Sequence, residues 1–224
     1  MPSRPSVLVF DVNETLIDIE SLEPHFEAMF GDRSVLREWF GQLIMYSMTI
    51  TLSERYVDFF SLGQAVLQMT GHIRGVDISD DDRRALGNGM RTMPAHPDVA
   101  DGLHRLKDKG YRLVTLTNSP PVADGATPLE HAGLAGHFER QFSVDSWRAF
   151  KPAPQLYTGV AAELGVAPSA CMMVAAHVWD TIGAQAVGFG GALIARKGNA
   201  PLPAADLPQP ALVVADVLEL ADRL

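Results

Sequence analysis

Five short apolar runs, at residues 6–10, 111–116, 171–175, 191–195 and 211–214, constrain this chain more than any other feature of it. Each is compatible with a strand buried on both faces. Amphipathic segments separate the later runs, and that alternation predicts an α/β fold built on a parallel sheet. Val99, Leu103 and Leu106 fall at helical spacing ahead of Gly110, a residue that readily terminates a helix. The next strand, Tyr111-Arg112-Leu113-Val114-Thr115-Leu116, starts at once.

Between the first run and that helix lie roughly eighty residues without a strand pattern, far more than an ordinary α/β connection needs. They carry helical periodicity instead: Leu36, Trp39, Phe40, Leu43 and Ile44, then Tyr56, Phe59, Phe60, Gly63, Val66 and Leu67. The expectation is a helical cap subdomain over residues 17–96, inserted above the carboxyl edge of a core formed by residues 1–16 and 97–224. The proline-rich stretch from Gly198 to Pro210 reads as a loop before the last strand and helix.

Charge narrows the partners. Eighteen basic against twenty-seven acidic residues give a net charge of -9, which opposes binding to nucleic acid or to an anionic membrane surface. No apolar run approaches the length of a membrane span, and the N-terminus has no signal-peptide core, so a cytoplasmic location is expected. The single cysteine, Cys171, opens an apolar run and reads as a buried strand thiol without a chemical role.

The chemistry gathers where the runs end. Phe10-Asp11-Val12-Asn13-Glu14-Thr15-Leu16 places a carboxylate directly behind a buried strand, the arrangement of a rigidly held nucleophile. Open parallel sheets bind ligands beyond the carboxyl ends of their strands. Leu116-Thr117-Asn118-Ser119, Phe150-Lys151-Pro152 and Val174-Ala175-Ala176-His177-Val178-Trp179-Asp180 should converge there with Asp11. A Lys151 ammonium beside Asp11 would keep it ionised. Thr15 has a hydroxyl to donate to Asp11, while Thr117 and Asn118 offer donors for a substrate carboxylate or phosphate. His177 is expected to take a proton from a hydrolytic water, with Asp180 orienting it or holding Lys151. Glu14 is expected to point into solvent. The bland alternatives are a solvated Lys151 at a helix start, a core Tyr157 and a Thr15 that merely caps a helix.

Taken together, Asp11 with Thr15, Thr117-Asn118, Lys151-Pro152 with Tyr157, and Trp179-Asp180 resemble the haloacid dehalogenase superfamily, most nearly its type II 2-haloacid dehalogenases. The resemblance spans almost the whole chain, including Ser143-Val144-Asp145 and Gly183-Ala184. It implies a modified Rossmann core with a helical cap inserted after the first strand, frequently in a homodimer. It also implies a reaction in which Asp11 displaces halide from a small 2-haloalkanoic acid, of S configuration by family analogy. Water then opens the aspartyl ester. The phosphatases of the superfamily carry a second aspartate where this chain has Asn13, and acidic magnesium ligands near Ala175, Ala176 and His177. An amide cannot protonate an alkoxide, whereas halide needs no proton, so neither metal nor cofactor is expected. The dehalogenase pattern is broken too: Trp39 is followed by Phe40 instead of an arginine, Asn13 replaces a tyrosine, and Ala175 and His177 replace a serine and an asparagine. Trp39, Phe40 and Tyr46 are expected to wall the substrate pocket, with Asn13 and Tyr157 also facing substrate. A magnesium-dependent phosphatase, with Glu14 or solvent replacing the missing acid, and a non-catalytic ligand-binding protein are the alternatives.

Overall fold

A computed structural model describes residues 4–122 and 124–224. One parallel sheet runs in the order β3-β2-β1-β4-β5-β6, from β1 (Val7–Phe10), β2 (Arg112–Thr117), β3 (Arg140–Ser143), β4 (Cys171–Ala175), β5 (Gly190–Ile194) and β6 (Leu212–Val214). The five apolar runs supply all of these except β3. That strand lies at the sheet edge, with Arg140 and Gln141 exposed and only Phe142 buried, so it leaves no apolar run to detect. Every residue of β1 and β4 is buried, as central parallel strands require.

Helices α1 (Glu23–Phe30), α2 (Val35–Leu52), α3 (Phe59–Arg74) and α4 (Asp80–Arg91) form the cap inserted between β1 and β2. Their starts follow local chemistry. Asp58 accepts from the Ser61 amide to begin α3, and Ser79 and Asp82 form a reciprocal capping box at α4. Around the sheet lie α5 (Val99–Asp108), the single turn α6 (Pro128–His131), α7 (Pro154–Leu164), α8 (Val178–Gln185) and α9 (Val217–Arg223). No helix among the described residues is long and apolar enough to cross a membrane.

Strand order changes direction between β1 and β4, and ligands of open α/β sheets sit at such a point. Phe10 pairs with Thr115 on one side and Val174 on the other, so the residues after β1, β2 and β4 emerge side by side. Gly183 lets α8 close on the segment that carries the lysine. A Cβ there would meet the Pro152 Cβ at 2.5 Å and the Tyr157 ring at 2.9 Å.

A largely buried ion pair fastens the loop after β1 to the starts of α5 and α9. Arg196 donates to Asp98 at 2.7 and 2.9 Å and to the Thr15 carbonyl at 3.0 and 3.2 Å, while Asp98 also accepts from the Val217 amide at 2.9 Å. Removing one partner of such a pair strands the other charge away from water. Asp98→Ala is therefore expected to cost about 3–5 kcal/mol in urea unfolding; a loss below about 1 kcal/mol would mean that Arg196 rehydrates freely.

Candidate active site

Asp11 ends β1 almost wholly buried, and both of its carboxylate oxygens are held. Oδ1 accepts from the Lys151 ammonium at 2.7 Å, and Oδ2 accepts from the Thr15 hydroxyl at 2.7 Å. Thr15 is oriented in turn by the Ala176 amide, which donates to its oxygen at 2.8 Å. Lys151 also donates to Asp180 Oδ2 at 2.6 Å and to the Leu116 carbonyl at 3.0 Å, so its three protons are all used. Asp180 accepts from the Tyr157 hydroxyl at 2.7 Å. Burial alone would raise the Asp11 carboxyl; Lys151 and His177 outweigh it and hold the group well below the usual carboxylate range. Asp180 moves the other way, pushed up chiefly by burial. The pair thus divides into a carboxylate kept ionised and a more basic one sharing the same ammonium.

A second network lies against the first. His177 stands at the start of α8 with Nε2 2.7 Å from Glu14 Oε2 and Nδ1 3.6 Å from Asp11 Oδ2. An ionised carboxylate only accepts, so Nε2 carries the proton in the Glu14 bond. Burial pushes the imidazole down, but Asp11 and Glu14 outweigh it, and its pKa is pushed up to about 9. The two carboxylates therefore favour the charged form of the ring. The charges agree: Asp11, Glu14 and Asp180 are matched by Lys151, His177 and Arg37.

This setting opposes the expectation that His177 draws a proton from water, because Nε2 already carries a proton and the Asp11 and Glu14 carboxylates favour one on Nδ1 as well. The expectation for Glu14 is corrected. Its side chain is 2% exposed, and it bonds His177, Arg37 and, at 2.9 Å, Asn199. Glu14 adopts φ of +67°, unusual for a residue with a Cβ, and this turn of the backbone faces its carboxylate inward. Its partners lie 23, 163 and 185 residues away in sequence, so no local pattern could have revealed them.

The family model described as haloacid dehalogenase-like hydrolase matches residues 5–188, a span that contains this entire carboxylate–lysine cluster. The chain belongs to that family. An (S)-2-haloacid dehalogenase of Pseudomonas sp. (strain YL) is 30% identical over 194 residues, covering 86% of this chain and 83% of the relative. The structure of the L-2-haloacid dehalogenase from Xanthobacter autotrophicus with chloropropionic acid covalently bound superposes with a TM-score of 0.86 at 25% identity, covering 97% of each chain. A haloacid dehalogenase-superfamily phosphatase from Thermococcus onnurineus, at 19% identity and a TM-score of 0.62, shares the fold.

Within this haloacid dehalogenase-like hydrolase, a cavity of about 10 Å³ adjoins Asp11. Core residues Asn13, Asn118, His177 and Trp179 meet cap residues Phe40, Ile44 and Phe59 around it. Asn13 and Phe59 also line a cleft of about 580 Å³ between cap and core, so they stand between the two spaces. Asn118 accepts from the Lys151 amide at 3.2 Å, and Asn13 donates to Ser119 Oγ at 3.3 Å. Phe40, in the place where an arginine was expected, turns its ring to His177 at 5.7 Å, and Trp179 stacks on the same imidazole at 4.9 Å. The Trp179 face stacked on the imidazole favours its charged form.

Other expected substrate contacts are not brought to this cavity. Trp39 is sealed inside the cap, its indole donating to the Gly63 carbonyl at 3.0 Å and packing on Phe26 at 5.4 Å. Its helical spacing reported a core position. Tyr46 is half-buried against the hydrophobic core and lines no part of the cavity. The Thr117 hydroxyl accepts from the Ser119 amide at 3.1 Å and borders a neighbouring recess. Tyr157 is fully buried behind Asp180, so its hydroxyl serves that carboxylate and not a substrate. Cys171 is buried, which pushes its thiol up to about 11.

Proposed function

We propose that this enzyme hydrolyses small 2-haloalkanoic acids to 2-hydroxy acids through an ester on Asp11. The observation that carries the reading is Lys151 bridging Asp11 and Asp180, with Thr15 on the second Asp11 oxygen. Such a nucleophile is ionised, aimed and free of any need to be deprotonated. Asp11 attacks the α-carbon, the carbon–halogen bond breaks, and halide leaves with the electron pair. Water then attacks the aspartyl Cγ, yielding its proton to Asp180, and Lys151 supports the oxygen it already touches. The relatives named (S)-2-haloacid dehalogenase support this choice of substrate and of hand.

The residues do not fit a magnesium phosphatase. The Asp11 and Asp180 carboxylates, which would have to face the cation, are already bridged by an ammonium. Among the described residues no group of three His, Cys, Asp or Glu side chains is placed to hold a metal ion. A two- or three-carbon acid exceeds the cavity, so Phe40, Ile44 and Phe59 of the cap must move aside to admit it. The homodimer and the cytoplasmic setting belong to the same reading, on family resemblance.

Purified protein given (S)-2-chloropropionate in the presence of a chelator is expected to release chloride. One turnover in heavy-oxygen water should label the peptide containing Asp11 and leave the first product unlabelled. Label in that product with none in the peptide would rule the ester out.

A further inference from the structure

Halide departs without a proton, but the second half-reaction releases an alkoxide, which does require one. Resting on the dehalogenase reading above, we infer that His177 is the acid that protonates the 2-hydroxy acid as it leaves Asp11, with Glu14 as its positioning residue. His177 Nδ1 is buried and has no hydrogen-bond partner among the described residues, although the residue lines the cavity beside Asp11. Asp11 Oδ2 lies 3.6 Å from it. The opposite nitrogen is anchored on Glu14, which Arg37 and Asn199 hold in place. A ring nitrogen left unpartnered in such a place is costly unless the reaction uses it.

The two oxygens of Asp11 then have separate tasks. Oδ1 carries the full hydrogen bond of an ammonium, which weakens it as a nucleophile and suits it to bear the negative charge of the tetrahedral adduct. Oδ2, held by the neutral Thr15 hydroxyl and facing His177, is the attacking oxygen and becomes the ester oxygen. When the adduct collapses, the Cγ–Oδ2 bond breaks, its electron pair takes the Nδ1 proton, and the hydroxy acid leaves neutral at that oxygen. The new Asp11 carboxyl, which carries the second hydrogen of the water, returns a proton to Nδ1. The proton first given to Asp180 passes to solvent. One water is consumed, and one proton and one halide are released per turnover.

The groups that set the charge on His177 are Asp11 and Glu14 facing it, Arg37 behind Glu14, and Lys151 across Asp11. Esterification removes the Asp11 charge, so the imidazolium becomes a stronger acid when it is needed. The ester-opening rate is thus expected to fall with rising pH, along a limb lying below the resting value of about 9.

His177→Asn tested with (S)-2-chloropropionate is expected to keep a chloride burst near one equivalent while steady-state turnover falls about 100-fold. Intact-mass spectrometry should show the ester accumulating. Glu14→Gln keeps the shape but loses the charge, and should move the alkaline limb to lower pH with the burst preserved. Chloride release by the parent enzyme, with unchanged turnover and no adduct in His177→Asn, overturns this inference alone. No chloride from the parent enzyme overturns the dehalogenase reading beneath it. An unmoved pH limb in Glu14→Gln overturns the positioning role.

Discussion

Asp11→Ala is expected to lose halide release by a factor on the order of 10⁵ or more in kcat/KM, since the variant lacks the atom that bonds to the substrate. Solvent cannot substitute, because a neutral water lacks the ionised oxygen that Lys151 and Thr15 hold in place at the end of β1. Folding should survive. Lys151 keeps Asp180 as a partner and His177 keeps Glu14, so neither cation is stranded. The combination of lost turnover with a urea midpoint near that of the parent separates chemistry from collapse. Retention of about one-hundredth of the parent rate would place the nucleophile elsewhere.

Lys151→Met is expected to damage both function and stability. Activity should drop on the order of 10³-fold, because the ammonium contacts the oxygen on which charge develops. The stability cost is the larger contrast with Asp11→Ala. Asp180 would lose its counter-ion in the interior while Asp11 kept His177, a loss of about 3–5 kcal/mol at neutral pH. The pH dependence has a defined sign. In the parent, the lowered Asp11 pKa contributes stability above the ordinary value of 3.8 that is lost as pH falls further. In the variant Asp180, without its ammonium, is raised further, and its protonation in acid relieves the cost. The gap between the two proteins should therefore narrow from pH 7 toward the ordinary aspartate value of 3.8. Urea titrations across that range check this; a constant gap would mean that Asp180 is already protonated in the parent.

Asp11, Thr15, Lys151 and Asp180 were legible because each follows a strand end or helix start that the apolar periodicity locates. Parallel topology then sends those positions to one edge. His177 was legible as a site residue but not in its protonation state. That state depends on Glu14, whose inward turn comes from a positive φ and from Arg37 and Asn199 arriving from the cap and from the loop after β5. Trp39 and Tyr46 were misplaced for a related reason. Periodicity marks the apolar face of a helix, and the same pattern serves a residue buried within the cap and one exposed to the cavity below it.

Local sequence determined the sheet, the inserted cap and the carboxylate at the end of β1, because hydrophobic burial and strand geometry act over a few residues and leave a periodic record. Tertiary structure alone decided the charges. Desolvation and Coulomb forces act through space between groups as distant in the chain as Glu14 and His177, and it is that meeting which favours the charged imidazole.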